Sequence, residues 1–116
     1  MNLDTTTMFR PIGPGEHDLL VKNEFAAWPP RLPGQPIFYP VANVEYARQI
    51  TREWNVRTYG IGWVTSFNVC AAFASRYPIQ KVGGTTHTEW WIPSEDLQEL
   101  NRDIVGKITV PEQWKE

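Results

Sequence analysis

The residues best suited to chemistry lie in the segment 86–92, where His87, Glu89 and Trp91 follow one another at intervals of two. In a β-strand, residues two apart point to the same face, so these three side chains would share one surface. A carboxylate beside a large aromatic ring has its ionisation shifted by desolvation, which is common among working carboxylates. The spacing therefore indicates a cleft with Glu89 and His87 as catalytic candidates. The alternative is an edge strand on which both are ordinary polar residues.

Arg10 is the second charged candidate. It lies in the short apolar segment MFRPI (8–12), which favours a strand stopped by Pro11 and Gly13. An isolated arginine at a strand end is more often a surface or salt-bridge residue than a ligand-binding one. If this strand lay beside the strand of Glu89, the guanidinium could hold a carboxylate or a pyrophosphate.

Several common sites are missing from the sequence. The GPG at 13–15 lacks the third glycine of a dinucleotide fingerprint, and no loop of the Walker type occurs. Cys70 is the only cysteine, so neither an intramolecular disulfide nor a zinc site with several cysteines can form. We therefore expect no metal site. The single cysteine fits a protein of a reducing compartment.

The strands and helices that must position these residues are predicted from hydrophobic periodicity and from the capping, glycine and proline residues that bound each element. We expect strands at 8–12, 37–41, 61–69, 78–82, 86–92 and 107–110, with helices at 14–23, from Asn43 to Trp54, and after Ser94. The spacers are too short and irregular for a doubly wound sheet. The pattern predicts an α+β fold with a curved, mostly antiparallel sheet and short flanking helices.

The segment 25–36 contains Trp28 and four prolines, which exclude both a helix and a central strand. Ordered loops of this length inside a small domain often have a function. The alternative is a loop that Trp28 anchors as a cover over one end of the core.

Size and charge limit the class of protein. A chain of 116 residues predicts one domain, spanning 1–116, with flexible tails at 1–7 and 111–116. The net charge is −2, and the lysines and arginines are scattered, so we expect no nucleic-acid partner. There is no apolar leader or membrane-spanning window, which favours a cytoplasmic protein with no membrane partner, although export by a dedicated secretion system stays compatible with the sequence.

The order of these blocks resembles the ADP-ribosyltransferase fold, especially its small bacterial members, over residues 8–110. The blocks that carry the resemblance are an opening strand with arginine, an aromatic strand that leads into a helix, a long strand, and a strand with glutamate: FRPI (9–12), IFYPV (37–41), GWVTSF (62–67) and THTEWWIP (86–93). The chain is also similar to short bacterial proteins grouped under the label ADP-ribosylation/crystallin J1.

This resemblance implies an enzyme that uses NAD as its substrate and needs no metal. It would cleave the nicotinamide–ribose bond and transfer ADP-ribose to a protein or a small-molecule acceptor. Arg10 would bind the pyrophosphate or ribose, Tyr39 would flank the nicotinamide, and Trp91 would lie alongside. Glu89 would hold the ribose hydroxyl, and His87 would occupy the place where many transferases engage the acceptor.

Two other classes of function remain open on the sequence. One is a catalytically inactive binding module that holds a protein or a small ligand with the Trp- and Pro-rich loop. The other is a structural subunit whose tryptophans form an oligomer interface. Replacement of Glu89 separates the enzyme from the binding module, because only the enzyme would lose turnover while keeping its fold.

Overall fold

A computed structural model describes residues 4–116 of the chain. Within these residues, seven strands and five α-helices follow one another along the sequence. The strands are β1 (Thr5–Ile12), β2 (Ile37–Phe38), β3 (Ile61–Cys70), β4 (Ile79–Lys81), β5 (Thr88–Trp90), β6 (Ile92–Pro93) and β7 (Thr109–Lys115). The helices are α1 (Pro14–Lys22), α2 (Val44–Ile50), α3 (Val56–Tyr59), α4 (Ala71–Ala74) and α5 (Leu97–Arg102). A π-helical turn at Thr51–Asn55 joins α2 to α3, and a 3₁₀ turn at Ser94–Asp96 precedes α5.

Small antiparallel sheets form the framework. The largest has the order β1-β3-β7, and β2-β6 and β4-β5 form two-stranded pairs. Val41 connects two of these groups, because its backbone bridges Phe9 of β1 on one side and Glu89 of β5 on the other. The predicted α+β class with antiparallel pairing is confirmed.

Strand β3, which its alternation predicts, is the middle strand of the largest sheet. It pairs with β1 over eight positions and with β7 on its other edge. Both of its faces are covered: Phe67 and Val69 belong to the larger apolar cluster, whereas Val64 packs in a smaller one with Val41 and Ala47. Burial on both faces agrees with apolar residues on both sides of the strand, Trp63, Phe67 and Val69 on one and Val64 on the other.

The helix that follows Asn43 extends further than its sequence pattern predicts. Asn43 caps it by accepting a hydrogen bond from the backbone N–H of Glu45. The chain then continues through the π-helical turn and α3 and ends at Gly60, whose φ of 78° is the left-handed conformation that glycine adopts without strain. The helix α1 begins at the predicted Pro14 and ends at Lys22.

Three predicted boundaries are wrong. The predicted tail at 111–116 lies largely in β7, where Trp114 pairs with Gly62 and packs against the smaller cluster. Residues 5–7 of the other predicted tail belong to β1, and residues 1–3 lie outside the described part of the chain. Pro11 does not stop β1, because beyond Phe9 this strand is paired on one side only and tolerates a residue without an N–H.

The predicted strand 86–92 is also interrupted. It divides into β5 and β6, which pair with different partners, β4 and β2. Among residues 4–116, no helix has the length and apolar character needed to cross a membrane.

Candidate functional site

Three backbone segments bring the candidate residues to one place. Phe9 and Val41 exchange backbone hydrogen bonds of 2.9 and 2.7 Å, and the neighbours of Val41 bond to β5 through Trp90 N–H to Pro40 O (2.9 Å) and Ala42 N–H to Thr88 O (2.8 Å). The strand that holds Arg10 is thus separated from the strand that holds Glu89 by a single extended segment.

A surface cleft of about 520 Å³ opens at this junction. Its lining residues come from β1, from the 39–41 segment, from α2, and from β5 and the residue after it: Arg10, Pro11, Tyr39, Val41, Ile50, Glu89 and Trp91. Four of the five predicted site residues, Arg10, Tyr39, Glu89 and Trp91, therefore border one cleft. His87 does not line it.

Arg10 is held in place by a carboxylate and by aromatic rings. Its Nε and Nη2 donate hydrogen bonds to the two carboxylate oxygens of Glu16, at 2.7 and 3.0 Å. The guanidinium lies over Phe38, 4.6 Å from the ring centroid, and near Trp28, at 5.7 Å. The two side chains of the ion pair are 12% and 22% exposed. A bidentate, half-buried pair of this kind fixes the position of the guanidinium. The remaining nitrogen, Nη1, does not bond to Glu16 and lies 3.5 Å from the carbonyl oxygen of Tyr39.

The backbone of Arg10 is fixed as well. Thr65 lies opposite Arg10 in the β1–β3 pair and is fully buried. Its hydroxyl donates a 2.7 Å hydrogen bond to the carbonyl oxygen of Arg10. A buried hydroxyl needs such a partner, and this one links the central strand to the candidate site.

Glu89 is oriented by the residue two positions later. The indole Nε1 of Trp91 donates a 2.7 Å hydrogen bond to Oε1 of Glu89. On the helix side, burial and then the negative charge of Glu89 raise the pKa of Tyr46. Glu89 is therefore a half-buried carboxylate that is bonded to the edge of an exposed indole and whose charge acts on a tyrosine of α2.

His87 lies apart from this cleft because β5 begins only at Thr88, so that His87 belongs to the preceding turn. Its ring stacks on Tyr46, with centroids 4.4 Å apart. The backbone N–H of Gly84 donates to its Nδ1 at 3.2 Å, which leaves Nε2 as the donor to Oε1 of Gln49 at 3.0 Å. Both ring nitrogens thus have structural partners, and the predicted catalytic role of His87 gains no support from its position.

The Pro-rich loop follows the second of the two interpretations drawn from the sequence. Trp28 is only 2% exposed, and its ring packs against Phe38 and Phe67 at centroid distances of 5.5 and 5.2 Å. Its backbone exchanges hydrogen bonds with the side chain of Asn101, in α5. Trp28 therefore anchors the loop over the core and does not itself form an exposed binding surface.

Sequence reasoning missed three residues around the cleft. Glu16 stands six positions after Arg10. Neither the period of a strand nor that of a helix predicts that these two residues pair, because one lies in β1 and the other in α1. Tyr46 and Ile50 lie four apart on α2 and so share one helix face. That helical spacing was a usable signal, but it gives no indication of which strand the face would meet.

The arrangement offers a cation, a carboxylate and two exposed aromatic rings, Tyr39 and Trp91, around an open cleft. Such a set suits a ligand with a flat ring, hydroxyl groups and negative charge. Within residues 4–116, no group of three or more His, Cys, Asp and Glu side chains could hold a metal ion. No family model, curated protein or solved structure matches this chain.

Proposed function

We propose that this protein is an ADP-ribosyltransferase-like enzyme that cleaves the nicotinamide–ribose bond of NAD and transfers ADP-ribose to an acceptor. The observation that carries the proposal is the shared cleft of Arg10, Tyr39, Glu89 and Trp91. The resemblance in block order assigns these residues to the binding and cleavage of NAD. That assignment requires all four side chains to border one cleft.

The chemistry assigns a task to each side chain. Departure of nicotinamide leaves an oxocarbenium-like ribose, whose positive charge a nearby carboxylate stabilises. Glu89 is the carboxylate of the cleft, and its hydrogen bond from Trp91 fixes its direction before the substrate arrives. Exposed rings at Tyr39 and Trp91 can stack on the nicotinamide, and Arg10 supplies positive charge for the phosphates.

The test is an NAD titration by calorimetry, with released nicotinamide assayed in the same samples. Glu89→Gln keeps the size of the side chain and removes its charge, so NAD binding should persist while release falls by about a hundredfold or more. The matched control is Glu24→Gln, at an exposed position after α1, which should release nicotinamide like the wild type. Equal release by the Glu89→Gln protein would refute a catalytic role for this carboxylate.

A second candidate, a binding module without catalysis, is favoured by one observation. Glu16 already occupies two donors of Arg10 and neutralises its charge, which weakens the attraction for a phosphate. A ligand would then be held by the exposed rings Tyr39 and Trp91 alone. In the same titration, binding of NAD or of nicotinamide mononucleotide without any release would identify this module.

A further inference from the structure

Arg31, in the Pro-rich loop, is a cation without an ion-pair partner in the described part of the chain. It makes no ion pair within residues 4–116, and its Nε is buried with no hydrogen-bond acceptor there. An arginine stays charged in proteins, and a buried donor that lacks an acceptor costs free energy. A structural arginine in this position would normally be paired, so the absence of an acceptor indicates a ligand-binding role.

A second arginine lies close to the first. Arg31 and Arg10 both approach the ring of Phe38, with guanidinium carbons 5.8 and 4.6 Å from its centroid. Burial and then the positive charge of Arg10 lower the pKa of Arg31. One carboxylate, Glu16, neutralises one of these two positive charges, so the group keeps a net charge of about +1.

The two arginines share a second cleft, of about 520 Å³, on the loop side of β1. Its rim holds three exposed apolar side chains, Leu19, Leu32 and Tyr59, while the two arginines and Glu16 also line it. Exposed apolar side chains around a charged interior suit a ligand with an anionic group and an apolar or aromatic body.

We propose that this second cleft binds an organic phosphate, with its phosphoryl oxygens on Arg31 and Arg10 and its apolar body against Leu32 and Tyr59. Guanidinium groups match phosphate oxygens in a bidentate geometry, and within residues 4–116 no carboxylate is paired with Arg31 to compete with a phosphate for it. Phosphate binding here depends only on the charge and shape of the second cleft. It goes beyond the proposed reaction, because it does not need bond cleavage in the first cleft, which Glu89 lines (the Glu89 cleft).

The site is also placed to serve a longer ligand. Arg10 borders both clefts, so a molecule with a diphosphate at Arg10 and Arg31 could extend one end toward Glu89 and the other toward Tyr59. Glu16 opposes any such anion, because its carboxylate is bound to the same guanidinium. Removal of this carboxylate should therefore strengthen phosphate binding, which is a result that a purely structural role of the ion pair does not produce.

The experiment measures binding of ADP by calorimetry to the whole chain. Arg31→Gln should weaken ADP binding by about tenfold or more, since hydrogen bonds to a charged group are lost. Arg57→Gln is the matched control, because Arg57 is exposed and lies two positions before Tyr59 on α3, on the other side of that helix. Glu16→Gln should bind ADP more tightly than the wild type.

Two further arms separate the possible sources of affinity. Inorganic pyrophosphate should bind more weakly than ADP, because it cannot use the apolar rim, and added salt should weaken the binding of both. Equal ADP affinity in the wild type and in Arg31→Gln, or no binding at about 5 mM ADP, would overturn the proposal. ADP contains no nicotinamide, so ADP binding without nicotinamide release from NAD would support this site while refuting the proposed reaction.

Discussion

The indole of Trp91 donates a 2.7 Å hydrogen bond to Oε1 of Glu89, two positions earlier in the chain. Trp91 is exposed and Glu89 is half-buried, so the bond joins the rim of the cleft to its candidate carboxylate. Charge-assisted hydrogen bonds of this length are among the strong ones and restrict the rotation of the carboxylate. The ring of Trp91 thus has two separable properties, its stacking surface and its N–H donor.

Replacing Trp91 with phenylalanine separates these two properties. Trp91→Phe keeps an aromatic surface but removes the donor, so Glu89 loses its fixed orientation. If the proposed reaction is correct, nicotinamide release should fall by about tenfold while NAD binding changes less. Initial rates across a range of NAD concentrations measure both quantities.

Trp54→Phe is the control for this change, because Trp54 is 66% exposed and lies outside the lining of the Glu89 cleft. Unchanged kinetics in both variants would show that the bond from Trp91 has no part in the reaction.

The ion pair of Arg10 with Glu16 should be sensitive to the shape of the cation as well as to its charge. Lysine cannot reproduce two parallel hydrogen bonds to one carboxylate or lie flat on Phe38. We expect Arg10→Lys to lower the free energy of unfolding by about 1–2 kcal/mol, since the pair is half-buried. Urea unfolding measures this difference.

Arg57→Lys supplies the comparison for that measurement. Arg57 is exposed on α3, and the same substitution there should change stability by less than about 0.5 kcal/mol. An Arg10→Lys protein as stable as this control would mean that the bidentate geometry adds nothing beyond charge.

The parts of the fold that the sequence predicts well are those with local signals. Asn43 begins a helix as predicted, because capping depends on a few neighbouring residues, whereas the end of that segment at Gly60 lies beyond the predicted end at Trp54. The strand β3 follows from its alternation of large apolar residues. The adjacency of Arg10 and Glu89 does not follow in this way, because it depends on the Val41 bridge between strands far apart in sequence.

The errors arise where tertiary packing outweighs local polarity. The segment at 111–115 contains a proline and several polar residues, yet it pairs along β3 and buries one side of Trp114. His87 shows the same limit. Its predicted orientation depended on a strand that includes it, whereas β5 begins only at Thr88. Arg31 and Glu16 carry no signal in the sequence, since their importance rests on contacts made across the fold.

Strand β7 should contribute to stability through Trp114. This side chain packs on the smaller apolar cluster of Val41, Ala47 and Val64. Trp114→Ala removes a half-buried ring and should lower the free energy of unfolding by about 2–3 kcal/mol, somewhat less than for a fully buried tryptophan. Thermal or urea unfolding measures the loss. Trp54→Ala, at the exposed position, should cost less than about 1 kcal/mol, and similar losses in both variants would contradict the packing of β7.

The acid stability of the protein should depend on Glu112, which joins β7 to α2. Arg48 donates hydrogen bonds to both carboxylate oxygens of Glu112, and Trp114 Nε1 donates to one of them at 3.0 Å. The hydrogen bonds from Arg48, and then the one from Trp114, lower the pKa of Glu112 in the folded protein against the opposing effect of burial. A carboxyl group with a lowered folded pKa stabilises the protein above its unfolded pKa, and this stabilisation is lost as the pH falls through the folded pKa.

The wild type should therefore be more stable than Glu112→Gln at pH 7, and the difference should shrink as the pH falls from about 5 to about 3. Urea unfolding of both proteins at several pH values measures the difference directly. Glu24→Gln, which removes an exposed carboxylate after α1, should show no such convergence with the wild type. A difference between wild type and Glu112→Gln that stays constant over this pH range would mean that the charge of Glu112 does not stabilise the fold, and that Arg48 holds the strand by contacts independent of ionisation.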